Sequence, residues 1–386
     1  MSDALTAELA NRESPAHSLS AGPSVASAIE IPLGLLAEVT HRCPLQCLYC
    51  SNPVQLEKPA QELPAETWAR VFEEAAALGI VQLHVSGGEP LARRDIIEIV
   101  RSASVAGLYV NLITAAVNLT PERADALVAA GVDHVQVSLQ DATREGVALV
   151  AKSEGAFEKK LAAARLVTER GLPLTINAVV HRQNLDRVER IIEIAEALGA
   201  HRLEIAHTQY YGWAYINRST LMPERRQVEA ATRCVTEAQE RLRGRMLIDY
   251  VVPDYFAKYP KPCMGGWGRQ FINVTPSGTV MPCHAAASIP GLSFPNVRER
   301  DLDWIWNQSP AFNRFRGTAW MPEPCRSCPR QEEDFGGCRC QAFLLTGDPA
   351  NADPVCTLSP HHGRIGELAN AFSADAGGEF TYRRYS

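Results

Sequence analysis

The sequence lacks any long apolar run. Nowhere in its 386 residues is there a stretch close to the roughly 20 consecutive apolar residues of a membrane-spanning helix, so we expect no membrane association. It also lacks a Lys- or Arg-rich run. Its 38 basic residues are outnumbered by 44 acidic ones, and the resulting net charge of −6 argues against nucleic-acid binding. What remains is an ordinary globular composition, 46% hydrophobic and 21% charged, in a chain long enough for two or three domains.

Residues 1–28 lack the apolar segment of a secretion signal. They are rich in Ala, Ser, Glu and Pro, a composition that predicts a disordered tail. Without export we expect a cytoplasmic protein, in a reducing compartment that disfavours disulfides. The 11 cysteines would then serve metal binding or catalysis rather than a disulfide framework.

The region from residue 31 to about 251 alternates short apolar runs with longer helical patterns. Runs rich in Val, Ile and Leu predict buried parallel strands at 33–39, 81–86, 109–114, 134–139, 174–180 and 202–207. Helices are predicted between them at 64–78, 95–106, 121–130, 156–170 and 186–198, followed by a helix at 222–243 and a short strand at 246–251. Six repeats of this unit predict an α/β fold, a partial (β/α)6 barrel that is open because a full barrel needs eight units.

The character of the chain changes after Pro253, where Gly, Pro, Cys and short turns replace the periodic helices. We therefore predict a barrel domain at 29–253, a second domain at 254–362 and a C-terminal tail at 363–386. The apolar content of the second domain is too low for a conventional core, so its cysteines are expected to act as staples.

Three closely spaced cysteines directly follow the first predicted strand, in the run CPLQCLYC: Cys43, Cys47 and Cys50. Ligands of parallel α/β folds bind at the carboxyl ends of the strands, which is where this run falls. Three thiolates are one ligand short of a closed [4Fe–4S] site, and an open coordination position is where chemistry takes place. The alternative interpretations are a zinc knuckle and a chance arrangement.

A second motif, Gly87-Gly88-Glu89-Pro90, follows the second predicted strand. Glycines allow the backbone to approach a ligand closely, and the Glu89 carboxylate can accept hydrogen bonds from an ammonium group. The alternative is an ordinary strand-to-helix turn with a capping acid. Lying one strand–helix unit after the cysteine run, the motif favours the first interpretation.

Together the two motifs resemble the signature of the radical S-adenosylmethionine (SAM) superfamily. The resemblance implies that the three cysteines hold a [4Fe–4S] cluster whose open iron chelates SAM, and that one electron cleaves SAM to a hydrogen-abstracting 5′-deoxyadenosyl radical. It also implies cofactor-binding roles for Gly87, Gly88, Glu89, for Tyr49 near the adenine, and for Ser138 and Asn177 at strand ends. Polar residues at strand ends, Gln140 among them, are equally well explained as partners of neighbouring backbone groups.

Seven cysteines lie beyond residue 254: Cys263, Cys283, Cys325, Cys328, Cys338, Cys340 and Cys356. Their pattern resembles the SPASM domain, which carries two auxiliary iron–sulfur clusters, with Asp334 in the place of one cysteine. The resemblance implies one cluster on Cys263, Cys283 and Cys338, which Cys340 is placed to complete, and another on Cys325, Cys328, Asp334 and Cys356. The cluster types are left open between [4Fe–4S] and [2Fe–2S]. In the alternatives, Cys340 is spare and one iron stays open, or the whole set binds structural zinc.

The segment HTQYYGWAYIN, residues 207–217, is dense in aromatic residues that could line a peptide groove or simply cap the barrel. It begins with His207, a candidate acceptor for a proton. With THRCPLQCLYCSNP and CRSCPRQEEDFGGCRCQA, it makes residues 31–362 similar to the family of peptide cyclases of pyrroloquinoline quinone biosynthesis.

That resemblance implies a specific reaction, a carbon–carbon crosslink between a Glu and a Tyr side chain of the PqqA precursor peptide. The peptide chaperone PqqD would present the substrate, and a low-potential donor such as flavodoxin would supply electrons. The alternatives are another SPASM maturase, either sulfatase-maturing or thioether-forming, and a non-catalytic electron carrier.

Overall fold

The structure of the chain is a computed structural model that describes residues 29–371 and 379–384. The tail predicted at 1–28 lies outside the described residues. In the part of the chain that is described, no helix combines the length and the apolarity that a bilayer crossing requires.

The predicted parallel strands are confirmed. Each lies within one residue of its predicted bounds: β1 (Gly34–Glu38), β2 (Gln82–Ser86), β3 (Tyr109–Thr114), β4 (His134–Ser138), β5 (Leu174–Val180), β6 (Arg202–His207) and β7 (Leu247–Val251). Strands that are consecutive in the chain are neighbours in the sheet, and every one of these pairs is parallel. This is the arrangement that repeated right-handed crossovers produce.

The helices of this region are α1 (Ala65–Ala77), α2 (Ile96–Val105), α3 (Pro121–Ala130), α4 (Arg144–Ala151), α5 (Ala156–Glu169), α6 (Val188–Ala197), α7 (Gly212–Ile216), α8 (Arg218–Leu221) and α9 (Arg225–Arg241). Of these, α4, α7 and α8 were not predicted. Helix α4 has an N-cap signal at Thr143, whose hydroxyl oxygen accepts a hydrogen bond from the backbone N–H of Gly146 at 3.0 Å. Helices α7 and α8 are one turn or little more each, too short to show a period in the sequence.

The region beyond Pro253 continues the same sheet. Its elements are β8 (Phe271–Val274), β9 (Val280–Met281), α10 (Leu302–Gln308), α11 (Pro310–Asn313), α12 (Gln331–Asp334), α13 (Arg339–Thr346) and α14 (Gly363–Ala371). Strand β8 pairs in parallel with β1, and β9 pairs antiparallel with β8. The sheet order is therefore β7-β6-β5-β4-β3-β2-β1-β8-β9.

The expectation that this region lacks a conventional core was wrong. Trp306 and Phe312 are buried in the same apolar core as the barrel strands. A second buried cluster contains Trp267, Met281 and Phe315, packed around Cys283 and Cys340. Cys283 and Cys340 therefore lie within an apolar core rather than in place of one.

The two faces of the sheet differ in polarity. Side chains such as Leu35, Val137 and Ile205 point to the outer face and pack against the helices. The inner face carries polar residues that pair across neighbouring strands. Three of these bonds join Asn111 to His84 at 3.0 Å, His134 to Thr175 at 2.8 Å, and Asn177 to Glu204 at 2.7 Å. Because side chains alternate along a strand, register decides which residues can meet at the inner face.

Candidate iron–sulfur and cofactor-binding site

The three-cysteine loop directly follows β1 and is attached to the end of α4. The backbone N–H groups of Gln46 and Leu48 donate to the carbonyl oxygens of Ala151 and Val150, at 2.9 Å and 3.1 Å. The unpredicted helix α4 therefore holds in place the loop that carries Cys43, Cys47 and Cys50.

The three thiols of this loop are in a poorly solvated environment. Burial raises the pKa of Cys43 to about 11 and also raises the pKa values of Cys47 and Cys50. Burial disfavours the charged thiolate unless a positive charge lies next to it. An iron–sulfur cluster supplies that charge, so the chemistry of these residues fits the group that the motif implies.

Glu89 is fully buried beside this loop. Its Oε1 accepts hydrogen bonds from the Leu91 N–H at 2.9 Å and the Thr114 hydroxyl at 2.6 Å, and its Oε2 accepts one from the Ala115 N–H at 2.6 Å. The carboxylate therefore does cap the 3₁₀ turn Pro90–Ala92, as the alternative interpretation expected. A carboxylate has about four acceptor positions, so one remains for an ammonium group.

The two glycines before Glu89 pack against the chain that leads into the cysteine loop. Gly87 has a φ of +139°, and a Cβ there would lie 2.3 Å from the carbonyl oxygen of Thr40. A Cβ on Gly88 would lie 2.5 Å from the carbonyl oxygens of His41 and Arg42. Because they have no side chain, these glycines let the backbone before Glu89 pack directly against the backbone that leads into the cysteine loop. This packing brings Glu89 next to that loop.

Tyr49 and Ser138 lie close to one another at the carboxyl ends of the strands. The Tyr49 ring centroid is 5.4 Å from that of His181. Burial raises the pKa of Tyr49, neighbouring Cys47 adds to that effect, and Gln140 opposes it. Gln140 in turn donates to the Ser138 hydroxyl at 3.1 Å.

Asn177 is brought next to Ser138 by the strand register. The two are direct partners across β4 and β5. The Asn177 amide donates to a Glu204 carboxylate oxygen at 2.7 Å. The cofactor-binding roles suggested for Tyr49, Ser138 and Asn177 stay predictions, but the three residues do lie in one neighbourhood.

Lys160 is a residue that the sequence reasoning missed. It is 1% exposed, and its Nζ donates to the carbonyl oxygens of Ala115 at 2.7 Å and Ser138 at 2.9 Å. Burial lowers its pKa to about 8, while Cys47 and Glu89 act in the opposite direction. The sequence does carry a signal for it, because Lys160 lies on the apolar face of a predicted helix together with Ala156 and Ala163.

His181 was also missed, although it directly follows β5. Its Nδ1 accepts a hydrogen bond from the Gln183 N–H at 3.2 Å, and its buried Nε2 has no protein partner among the described residues. Burial lowers the pKa of His181 to about 3, so the ring is neutral near pH 7. Its Nε2 therefore carries the proton, in the tautomer that leaves Nδ1 free to accept.

His207 lies elsewhere. Two residues after Ile205, it shares the helix-facing side of β6 with that residue. Its Nε2 is 2.9 Å from the Tyr250 hydroxyl, which is bonded at 3.1 Å to Thr232 of α9. It lines a pocket with Tyr210 and with residues of α13 and α14. The structure therefore does not bring His207 to the inner face that carries Ser138, and its role as proton acceptor stays a prediction.

The first auxiliary group of cysteines comes together as the resemblance implied. The sulfurs of Cys283 and Cys340 are 4.0 Å apart. Hydrogen bonding to Cys263 is the largest of the influences that raise the pKa of Cys338 to about 12. Four thiols from three separate stretches of the chain are therefore neighbours, and their role as ligands stays a prediction.

One pocket is lined by all four members of the second auxiliary group, Cys325, Cys328, Asp334 and Cys356. Asp334 is 7% exposed, and its Oδ1 accepts a hydrogen bond from the Gly336 N–H at 2.9 Å. Within residues 29–371 and 379–384, no three Cys, His, Asp or Glu side chains are spaced to hold a single metal ion. A multi-iron cluster is larger than one ion, and the thiols and the carboxylate that line this pocket are ligand types that such a cluster accepts.

Family models match two regions of the chain. The family model described as the radical SAM superfamily matches residues 37–195, and the SPASM iron–sulfur cluster-binding domain matches residues 263–329. Solved structures with this fold include SuiB of Streptococcus suis bound to S-adenosylmethionine, with a TM-score of 0.71 and 18% identity over 85% of this chain and 78% of that one. Another is anSMEcpe with bound AdoMet, with a TM-score of 0.61 and 16% identity over 89% of this chain and 99% of that one. At this identity the likeness establishes the fold alone.

Curated relatives are much closer in sequence. The PqqA peptide cyclase of Methylobacterium sp. (strain 4-46) is 56% identical over 361 residues, which cover 93% of this chain and 95% of that protein. The PqqA peptide cyclase of Granulibacter bethesdensis is 54% identical over 358 residues, which cover 93% and 96%. The chain therefore belongs to the PqqA peptide cyclase family of radical SAM enzymes that carry a SPASM iron–sulfur domain.

Proposed function

We propose that this enzyme forms a carbon–carbon bond between a Glu and a Tyr side chain of the PqqA precursor peptide. The observation that carries the proposal is the meeting of Cys43, Cys47, Cys50 and Glu89 at the carboxyl end of the sheet, in a chain 54–56% identical to enzymes named for PqqA cyclisation. One C–H hydrogen is removed from the Glu side chain. A Tyr ring hydrogen then leaves as a proton, with one electron passing to an acceptor, so the peptide loses two hydrogens overall.

In this proposal the three-cysteine loop holds a [4Fe–4S] cluster and SAM, which when bound supply the hydrogen-abstracting radical. Glu89 accepts from the SAM ammonium group through its remaining acceptor position. Lys160 and Ser138 would bind the SAM carboxylate and Tyr49 would stack on the adenine; the buried ammonium group of Lys160 beside Ser138 and the buried Tyr49 ring support these roles. Gly87 and Gly88 keep Glu89 against the loop, and Asn177 extends the polar wall.

Two histidines are candidates for the acceptor of the ring proton. His207 was chosen from the sequence, but it faces α9. His181 is neutral and lies against Tyr49, and its Nδ1 would accept the proton only by releasing the Gln183 N–H. Replacing each separately by Asn and comparing the pH dependence of turnover distinguishes them.

We further propose two auxiliary clusters, [4Fe–4S] or [2Fe–2S], within a cluster-bearing domain at 254–362 that adjoins a barrel at 29–253. Cys263, Cys283, Cys338 and Cys340 hold the first, and Cys325, Cys328, Asp334 and Cys356 hold the second. Their place in the chemistry is to accept the electron that the rearomatising ring releases. Mutually shifted thiol pKa values in the first group and the shared cavity of the second support this assignment.

The partners follow from the same proposal. The substrate is a peptide, and SuiB, which shares the fold, has been solved bound to its precursor peptide SuiA. PqqD would present the peptide and a low-potential donor such as flavodoxin would reduce the cluster. We place the reaction in the cytoplasm, where free thiols persist and oxygen-sensitive clusters are assembled.

The test is anaerobic incubation of the enzyme with PqqA, PqqD, SAM and a strong reductant, followed by mass spectrometry of the peptide. We expect a product lighter by two hydrogens, with its crosslink mapped to one Glu and one Tyr. Cys47→Ser should abolish the product, while Cys234→Ser, which changes a half-buried cysteine on α9, should retain it. SAM cleavage without peptide crosslinking would overturn the assigned reaction and favour a different SPASM maturase.

A further inference from the structure

Residues 379–384 lie against the three-cysteine loop, although they are the far end of the described chain. The backbone N–H of Thr381 donates to the Asn217 side-chain oxygen, and the Asn217 amide donates to the Thr381 carbonyl, both at 2.7 Å. The same amide also donates to the carbonyl oxygen of Leu48 at 2.9 Å. Asn217, 2% exposed, therefore joins the C-terminal segment to the loop between Cys47 and Cys50.

Tyr382 attaches the segment to a second support of that loop. Its hydroxyl donates to the carbonyl oxygen of Leu149 at 2.9 Å, and Lys152 Nζ lies 5.0 Å from its ring centroid. Leu149 belongs to α4, whose end also holds the cysteine loop. The segment and the loop thus share one anchoring element.

Arg383 reaches into the cluster site itself. It is 2% exposed, whereas the next residue, Arg384, is exposed. Its guanidinium donates to the carbonyl oxygen of His41, in the backbone stretch against which Gly88 packs. The same guanidinium also lies within hydrogen-bonding reach of the Cys50 side chain.

A buried guanidinium is costly unless negative charge lies close to it. The thiolates of a loaded three-cysteine site would place negative charge next to the Arg383 guanidinium. They outweigh the positive charge of an oxidised cluster core, and reduction makes the site more negative still. A fixed cation beside it therefore favours both the assembled and the reduced forms.

We propose that residues 379–384 complete the three-cysteine site and that Arg383 provides the positive charge that stabilises its bound cluster, particularly when reduced. This inference rests on the proposed function, because it assumes that the loop carries a cluster. It assigns a cofactor-site role to a residue more than 300 positions from the cysteine motif, 342 from the His41 carbonyl it binds.

The test compares Arg383→Met, Arg383→Lys and the matched control Arg384→Met, each reconstituted anaerobically. Iron content is measured for each protein, and the midpoint potential is obtained by EPR-monitored redox titration of the signal that changes when SAM is added. We expect Arg383→Met to shift that potential to a more negative value, or to lose the iron of this site. Arg383→Lys and Arg384→Met should stay close to the unchanged protein.

Two results would overturn the inference. In one, Arg383→Met matches Arg384→Met in both iron content and potential. In the other, Arg383→Lys is affected as strongly as Arg383→Met, which would make the role one of packing rather than charge. Peptide crosslinking by the unchanged enzyme tests the proposed function separately. If crosslinking fails while Arg383→Met still shifts the potential, only the proposed function is overturned. If crosslinking succeeds while the potential does not shift, only this inference is overturned.

Discussion

Lys160 shows how a single buried charge can serve a site. An ammonium group 1% exposed, held by two carbonyl oxygens at strand ends, lies next to Cys47 and Glu89. In water an ammonium group such as that of Lys160 would bind the carboxylate of SAM only weakly. In a poorly solvated pocket the same contact is a charge-assisted hydrogen bond worth about 1.5–3 kcal/mol.

We therefore predict that Lys160→Met weakens SAM binding by about 10- to 100-fold, the range that this energy corresponds to. Because the pKa of Lys160 is lowered to about 8, the affinity of the unchanged enzyme should fall as pH rises through that value. Calorimetry on anaerobic, iron-loaded protein measures both effects. The neighbouring exposed Lys159→Met is the control, and equal affinities for the two variants would contradict the prediction.

His181 allows a prediction about stability and pH. Burial lowers its pKa to about 3 in the folded protein, against about 6.5 in an unfolded chain. Between those values the unfolded state binds more protons, so the free energy of unfolding falls as pH falls through this window. His181→Asn removes the titrating group and should make that fall less steep.

Denaturant unfolding at about pH 7 and about pH 5 measures the difference in slope. His201→Asn, at an exposed histidine, is the comparison. A slope for His181→Asn as steep as that of the unchanged protein would show that this histidine titrates normally.

Among the elements, the one-turn helix α12 decides which acidic residue enters the second auxiliary cavity. Its sequence offers Glu332, Glu333 and Asp334 in succession, but only Asp334 is buried. Phe335 ends the helix with a φ of +50°, and Gly336 follows with its N–H bonded to Asp334. This turn points one carboxylate at the cavity and leaves the other two in solvent.

Asp334→Ala should therefore lower the iron content of the purified protein, whereas Glu333→Ala should leave it unchanged. Asp334→Cys should retain the iron but alter the EPR signal of the auxiliary cluster, since thiolate is a softer ligand than carboxylate. Iron analysis and EPR on the three variants measure this. Unaltered iron and signal in both Asp334 variants would remove the residue from the ligand set.

At the scale of the whole molecule, the sheet and the cysteine-rich stretch are stabilised by different interactions. The barrel strands are held by a large apolar core and by a continuous parallel ladder. The stretch from Cys325 to Cys356 consists of turns and short helices around a cavity. Metal binding contributes folding free energy mainly where few other contacts exist.

Removing iron with a chelator should thus raise hydrogen exchange in residues 325–356 much more than in β2 to β6. The thermal midpoint should fall as well, because the ligand binds only the folded state. Exchange followed by mass spectrometry, with reconstituted protein as the control, measures this. Unchanged exchange in 325–356 would show that the stretch does not depend on metal.

Much of the architecture was readable along the chain because it depends on local pattern. Strands such as β3 and β5 matched their predicted bounds, since apolar runs and Gly-terminated helices alternate regularly. The cysteine loop was recognisable because its three cysteines lie within eight residues. Helix α4 was missed because its eight residues give only a weak period and Thr143 is a single capping signal, and β8 because nothing local shows that it pairs with β1.

The sequence by itself determined the strand and helix order, the spacing of the three-cysteine motif and the family to which the chain belongs. Only the tertiary structure decided that His207 faces α9, that Cys338 and Cys340 meet Cys263 and Cys283, and that Lys160 and Arg383 reach the cluster site. The physical reason is the distance along the chain over which each kind of interaction acts. Capping, periodicity and ligand spacing act over a few residues. Which face of the sheet a strand residue occupies, and which distant segments meet, is set only when the whole chain packs.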